Sequence, residues 1–227
     1  MNIGAIIPAA GQGKRMEKDI NKQYLQLGDR PLLAHTLEVF SNNKNIKQII
    51  VVVRENEMDY CQKNILDKYN FSDIKLVAGG ETRQQSVYAG LKAFLPATNY
   101  VIIHDGARPL LSGKLLNKVI KKVPEYEALT TAVSVKDTIK IVNKDNYVEK
   151  TPDRDSLKAI QTPQAFSYDL IYKAHKNFDS NFKVTDDASL VEKMGHKVKV
   201  IQGENTNIKI TTPIDLVYAQ NILEKNN

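Results

Sequence analysis

The sequence has no tryptophan and a single cysteine, Cys61. One cysteine excludes an internal disulfide and any cysteine-based zinc cluster. Four histidines are present, but no second His or Cys stands at ligand spacing from His104, so His104 reads as a packed, hydrogen-bonded side chain. His35, His175 and His196 are isolated and receive no role, and Cys61 reads as a packing residue in a helix. Aromatic residues are 7% of the chain, too few to predict a stacking platform for single-stranded nucleic acid. Long hydrophobic runs are also missing. The longest, such as Ile49-Ile50-Val51-Val52-Val53, suit buried strands and fall far short of a bilayer span. The first residues, Met1 to Pro8, lack the basic region and small-residue cleavage site of a signal peptide. No repeat, low-complexity tract or linker is visible. These absences predict a cytoplasmic protein in a reducing environment, with no membrane and no nucleic acid as partner.

What is present points to a folded α/β chain. Hydrophobic residues are 42% of 227, enough for a sizeable core in one domain. The net charge of +6 favours anionic partners, and the Lys and Arg residues are scattered without a basic tail. Small phosphorylated ligands fit that distribution. Strand-like runs at Asn2–Pro8, Lys47–Val53, Ile74–Val77, Asn99–His104, Ala128–Val135, Ala159–Gln164 and Lys197–Ile201 alternate with helical stretches at Pro31–Phe40, Ser86–Leu95 and Lys114–Val123. A last helix starts at Pro213, which suits a first helical turn. This is the pattern of a predominantly parallel sheet with crossover helices. One segment breaks it. Val135–Asp155 reads as two short strands, Thr138–Val142 and Tyr147–Lys150, joined by Asn143-Lys144-Asp145-Asn146, a hairpin tip. Such an arm is either a mobile surface excursion or a device for docking a second subunit.

Three glycine-bearing turns follow strands. The first, Pro8-Ala9-Ala10-Gly11-Gln12-Gly13-Lys14-Arg15-Met16, allows close backbone approach to phosphate oxygens and adds two cations. It is not a P-loop, and Met16 takes the place of the third glycine of a dinucleotide fingerprint. Lys22 and Arg30 follow, with Lys22-Gln23-Tyr24 as a loop. The stretch from Lys14 to Asn21 offers little to bury, so mobility in the free enzyme is the expectation. The second turn, Gly79-Gly80-Glu81-Thr82-Arg83-Gln84-Gln85-Ser86, puts Arg83 and Ser86 on one face of a helix start, where anions or a base and ribose can be held. Each of these two turns also fits ordinary strand–helix punctuation. The third, His104-Asp105-Gly106-Ala107-Arg108-Pro109, ends a buried strand in a carboxylate suited to Mg²⁺, followed by an arginine that can pair with a substrate oxyanion or with Asp105 itself.

The C-terminal half holds Thr151-Pro152-Asp153-Arg154, Gln161-Thr162-Pro163-Gln164, Val184-Thr185-Asp186-Asp187-Ala188-Ser189 and Asn207-Ile208-Lys209-Ile210-Thr211. Thr185 or Asp186 can cap the helix that follows. Lys209 alternates with two isoleucines in a strand-like piece, which by itself reads as a solvated lysine.

Taken in order, PAAGQGKRM, KQY, GGETRQQSV, HDGARP, VKDTIK, PDR, QTPQAF, TDDAS and NIKIT resemble the 2-C-methyl-D-erythritol 4-phosphate cytidylyltransferases, over residues 8 to 213. Each piece is weak and the ordered set is specific. The resemblance implies a nucleotidyltransferase fold, Rossmann-like, with CTP as co-substrate, Mg²⁺ at Asp105, and a homodimer clasped by the arm. It implies that Arg15 and Lys22 stabilise the α-phosphate in the transition state. Pro8, Ala9, Ala10, Gly11, Gly13, Gly80, Arg83, Ser86, Asp105, Gly106 and Ala107 would hold CTP. Arg154 and Lys209 would act on the acceptor phosphate with Thr162 and Thr185, while Thr138 and Arg108 would reach across from the other subunit. A ribitol 5-phosphate cytidylyltransferase is the nearest alternative. From another class, a non-catalytic nucleotide sensor would be expected to lose cations that are all present here, and a nucleic-acid-binding protein would show salt-dependent retention on DNA or RNA.

Overall fold

The computed structural model describes residues 1–11, 21–178 and 184–226. The first strand, β1 (Ile3–Pro8), is followed by a small ribbon of β2 (Gln26–Leu27) and β3 (Arg30–Pro31), then α1 (Leu32–Ser41), β4 (Ile46–Val53), a short α2 (Met58–Cys61), β5 (Ile74–Ala78), α3 (Arg83–Lys92) and β6 (Tyr100–Ile103). The second half runs α4 (Gly113–Tyr126), β7 (Ala128–Ser134), β8 (Ile141–Val142), β9 (Val148–Lys150), β10 (Lys158–Ser167), α5 (Tyr168–Lys176), α6 (Asp187–Lys193), β11 (Lys199–Gln202) and α7 (Pro213–Asn226).

The seven-stranded sheet has the order β11-β7-β10-β6-β1-β4-β5. β1 pairs in parallel with β4 and β6, β4 with β5, and β11 with β7. Only β10 runs against its neighbours, β6 and β7. Strand side chains alternate between two faces, and both faces are buried. Ile3, Ala5, Ile7, Val51 and Ile102 pack under α1 and α4, whereas Ile6, Ile50, Val52, Val101 and Ile103 pack under α3 and α5. That is why the strands read as continuous apolar runs. A third cluster, Leu25, Leu27, Leu32, Ile210 and Ala219, seats α7 against the β2–β3 ribbon.

The parallel strands β1, β4, β5 and β6 all point their C-terminal ends to one edge of the sheet, where such sheets collect ligands. The turns that follow them are tied together. Ala9 N–H donates to Val52 O at 2.7 Å, Gly79 N–H to Val53 O at 2.7 Å, and Gly106 N–H to Pro8 O at 3.3 Å. A Cβ at Gly79 would stand 2.7 Å from Ser86 Oγ and 3.0 Å from Ala10 Cβ, so glycine there is what lets two of the turns meet.

The arm forms between β7 and β10, with strands shorter than the sequence predicts. Asn143 Oδ1 accepts from the N–H groups of Asp145 and Tyr147, and Asn146 takes a left-handed φ of 64°. Every side chain of β8 and β9 is exposed, including Ile141, Val142 and Val148, with Ile139 and Tyr147 beside them. With nothing packed on either side, only the residues nearest the turn keep a ladder. No helix among the described residues is long and apolar enough to cross a membrane.

Candidate functional site

Two clefts of about 250 Å³ each open at the C-terminal edge of the sheet. Pro8, Ala9, Ala10, Gly11, Lys22, Gly80, Ser86 and Ala107 line the first, and Arg108, Thr162 and Thr185 line the second. Arg83, Asp105 and Lys209 line both. Residues from three strand ends, two helix starts and an irregular C-terminal stretch are thus brought to one place.

Asp105, 7% exposed, is the electrostatic centre. Its Oδ2 lies 2.7 Å from Lys209 Nζ and 3.9 Å from Arg108 Nε, and its Oδ1 accepts from Arg83 Nε at 3.3 Å. Burial works against ionisation of this carboxyl, but Arg83, Lys209 and Arg108 outweigh it and hold the group far below the usual carboxylate range. Three cations around one carboxylate leave a net positive site, suited to an anion of higher charge.

Behind Asp105 the hydrogen bonds assign roles atom by atom. His104 Nε2 lies 3.1 Å from the carbonyl of Arg108, so that nitrogen carries the proton. Nδ1 then accepts from the Thr162 hydroxyl at 3.1 Å, and the same oxygen accepts from Asp105 N–H at 3.1 Å. His104 is fully buried, and burial lowers its pKa to about 4. It is a neutral, packed histidine, as the sequence suggests. Thr162 sits where the register of β10 against β7 slips between Gln161 and Gln164, and its hydroxyl anchors the turn that carries Asp105.

Arg108 is 9% exposed, and its Nη1 donates to Asn207 O at 2.7 Å. Asn207 in turn donates to Thr162 O at 2.7 Å. Within its own chain the side chain lines the second cleft. Arg154 and Thr138 behave in the opposite way. Both are exposed on the arm side, Arg154 donates to Lys136 O at 3.2 Å, and neither lines either cleft. Within one chain the structure does not bring them to Asp105.

Lys22 begins a single 3₁₀ turn rather than a loop, and its Nζ donates to Ile210 O at 3.2 Å. Lys209 belongs to no strand, contrary to the strand-like reading. The neighbouring Ile210 N–H donates to Ala107 O at 2.8 Å, which fastens the lysine over the Asp105 turn. Ser86, 2% exposed, gives its hydroxyl to Thr82 O at 2.9 Å. Thr82 and Gln85 form a reciprocal capping box that fixes the start of α3. Asp186, not Thr185, caps α6 through Ser189 N–H. Gly13 and Arg15, with the rest of residues 12–20 and the mobility expected of them, lie outside the described residues.

Arg54, which no sequence motif marks, and Gln23, Gln161 and Gln164, which the motifs include without a role, also line the clefts. Arg54 Nε donates to Ala10 O at 3.1 Å, a contact between strand ends that no spacing in the chain announces. Gln164 donates to Asp186 at 2.7 Å and accepts from Ala188 N–H at 3.1 Å, knitting β10 to the start of α6.

The doubly covered, mostly parallel sheet with a cationic double cleft at its C-terminal edge is shared with solved α/β nucleotidyltransferases. The family model described as 2-C-methyl-D-erythritol 4-phosphate cytidylyltransferase matches residues 3–225. A relative of that name from Caldanaerobacter subterraneus subsp. tengcongensis is 47% identical over 227 residues, 99% of this chain and 100% of the relative. One from Clostridioides difficile is 46% identical over 219 residues, 96% of this chain and 92% of its own. The crystal structure of 4-diphosphocytidyl-2C-methyl-D-erythritol synthase from Anaerococcus prevotii superposes with a TM-score of 0.87 at 44% identity, covering 98% of this chain and 96% of that one. The chain belongs to the 2-C-methyl-D-erythritol 4-phosphate cytidylyltransferase family.

Proposed function

We propose that this chain transfers CMP from CTP to the phosphate of 2-C-methyl-D-erythritol 4-phosphate. A phosphate oxygen of the acceptor attacks the α-phosphorus of CTP, the bond to the β-phosphate oxygen breaks, and pyrophosphate leaves with 4-diphosphocytidyl-2-C-methyl-D-erythritol as the second product. The reaction serves isoprenoid precursor biosynthesis. The observation that carries this reading is the sharing of Arg83, Asp105 and Lys209 by two adjoining clefts. Two phosphates must approach each other, so catalysis rests on positioning and on positive charge fixed between them. The acceptor phosphate is already ionised, so no general base is required, and His104 is spent on structure.

In this reading CTP occupies the first cleft, against Ala9, Ala10, Gly11, Gly80 and Ser86, with its phosphates toward Lys22. The acceptor phosphate occupies the second, against Arg108, Thr162, Thr185 and Lys209. Asp105 is a single carboxylate, and no group of three His, Cys, Asp or Glu stands together among the described residues. Both oxygens of Asp105 already face cations, Lys209 and Arg108 at Oδ2 and Arg83 at Oδ1, so a Mg²⁺ arriving with the triphosphate would take this one carboxylate in exchange for one of those contacts. When bound, the ion supplies charge neutralisation on the phosphates.

The arm supports a homodimer. Ile139, Ile141, Val142, Tyr147 and Val148 are exposed apolar side chains on the same arm as Arg154 and Thr138, and apolar residues concentrated on one exposed segment suit an interaction site. We assign it to a second copy of this chain, with Arg154 and Thr138 delivered to the partner's acceptor cleft. One domain from residue 1 to 227, with an arm at about 135–155, describes the unit, and its lone buried thiol suits the cytoplasm.

The test is pyrophosphate release from CTP and Mg²⁺ with 2-C-methyl-D-erythritol 4-phosphate and ribitol 5-phosphate in parallel. Turnover with the first is expected. Turnover only with ribitol 5-phosphate keeps the CTP cleft and overturns the acceptor assignment, and silence with both overturns the reading.

A further inference from the structure

Arg83 opens α3 and is held between two carboxylates on different elements. Its Nε donates to Asp105 Oδ1 at 3.3 Å, and its Nη2 lies 2.7 Å from Asp187 Oδ2. The second contact is an ion pair by distance, since no N–H is aligned on that oxygen. Asp187 Oδ1 lies 3.0 Å from His175 Nε2 on α5. Asp187 and His175 are both buried, and neither lines either cleft.

A buried carboxylate carries a large desolvation cost, so its presence calls for a reason. Helix capping is not the reason, because Asp186 already caps α6. Burial works against the ionisation of Asp187, but the Arg83 guanidinium and the His175 hydrogen bond hold its carboxyl below the usual range. Arg83 therefore meets a full negative charge from behind. Its third nitrogen, Nη1, is buried and has no hydrogen-bond partner among the described residues, although the side chain lines both clefts. A guanidinium pinned on two sides and left with one nitrogen unpartnered among the described residues is a pre-organised ligand contact.

We propose that Asp187 is a positioning residue of the transfer reaction, fixing the Arg83 guanidinium so that Nη1 is aimed at the bound nucleotide, with His175 bracing Asp187 from the far side. The proposal rests on reading the first cleft as the CTP site. A merely structural Asp187 would alter stability and leave the kinetics of the folded enzyme alone.

Asp187→Asn keeps the shape and removes the charge. Folded D187N, checked by circular dichroism, is expected to lose kcat/KM for CTP by ~10–100-fold, mainly through KM. In an Arg83→Ala background the same change should alter kcat/KM by less than about 2-fold, because the two residues act as one unit. Wild-type kcat/KM in folded D187N, or losses that multiply in the double variant, overturns the proposal. If D187N does not fold, the His175 pair decides. His175→Ala should lower kcat/KM and His175→Gln, which retains a donor toward Asp187, should restore it; equal activity of the two overturns the proposal. Inactive wild-type protein would instead overturn the CTP reading itself and the inference with it.

Discussion

Lys209 stands where the two clefts meet, and its replacement by methionine separates catalysis from stability. The ammonium lies 2.7 Å from Asp105 Oδ2, but the side chain keeps 38% of its exposure. Water screens a pair of that kind, which limits its contribution to the fold to ~1 kcal/mol. Asp105 is also not orphaned by the change, since Arg83 and Arg108 still face it. For a chain of 227 residues, a loss of 1 kcal/mol moves the melting temperature by ~2–4 °C. The rate is a different matter. An ammonium fixed between two approaching phosphates acts where negative charge concentrates, and losing one such group costs ~10²–10³-fold, or about 3–4 kcal/mol of barrier.

Lys209→Met should therefore release pyrophosphate ~10²–10³ times more slowly while melting only a few degrees lower. Thermal unfolding followed by circular dichroism gives the first quantity, and coupled pyrophosphate detection at saturating CTP and acceptor gives the second. A rate within about 3-fold of wild type would refute the reasoning, since a group that stabilises the transition state cannot be removed so cheaply. A drop in melting temperature large enough to account for the lost activity would refute it too, and would make Lys209 a structural cation of the Asp105 turn.

Lys22→Ala should lower kcat far more than it raises KM for CTP; steady-state kinetics showing a pure KM effect would mean that Lys22 holds only ground-state phosphate. EDTA should abolish pyrophosphate release yet leave the melting temperature of the nucleotide-free protein unchanged, since no carboxylate cage is present among the described residues; a melting shift would reveal a resident structural ion. Arg154→Ala and Lys209→Met proteins, each nearly inactive, should regain about a quarter of wild-type sites when unfolded together and refolded as mixed dimers. No recovery would place Arg154 in service of its own chain.

The sheet was legible because its strands are buried on both faces. Ile49 to Val53 could scarcely be anything else, and the same holds for Val101 to Ile103. Boundaries slipped where local and tertiary signals differ. α3 begins at Arg83, earlier than Ser86, because the Thr82–Gln85 capping box is written in polar residues that carry no apolar periodicity. The 3₁₀ turn at Lys22 has no period over three residues and so looks like a loop in sequence. Lys209 has the look of a strand residue because it sits between two isoleucines, yet Ile210 is buried against Leu25 and Leu32 rather than in the sheet. Alternation alone cannot tell a strand from an irregular stretch pinned by one apolar anchor.

The site divides along the same line. The glycine turns announce themselves, since a strand followed by small residues is a local pattern. What the turns hold in place is not local at all. Arg54 reaches Ala10 from 44 positions away, Gln84 reaches Val184 from 100, and Lys22 reaches Ile210 from 188. Asp187 is the clearest case. In sequence it is the second aspartate of a pair in front of a helix, where capping explains one of the two and gives the other no task. His175 looked isolated for the same reason, as no carboxylate stands near it in the chain. Charge that must be buried has to find its partner through the fold. Buried residues behind the cleft, such as Asp187 and His175, are therefore the ones a linear reading misses more readily than the glycine turns that line it.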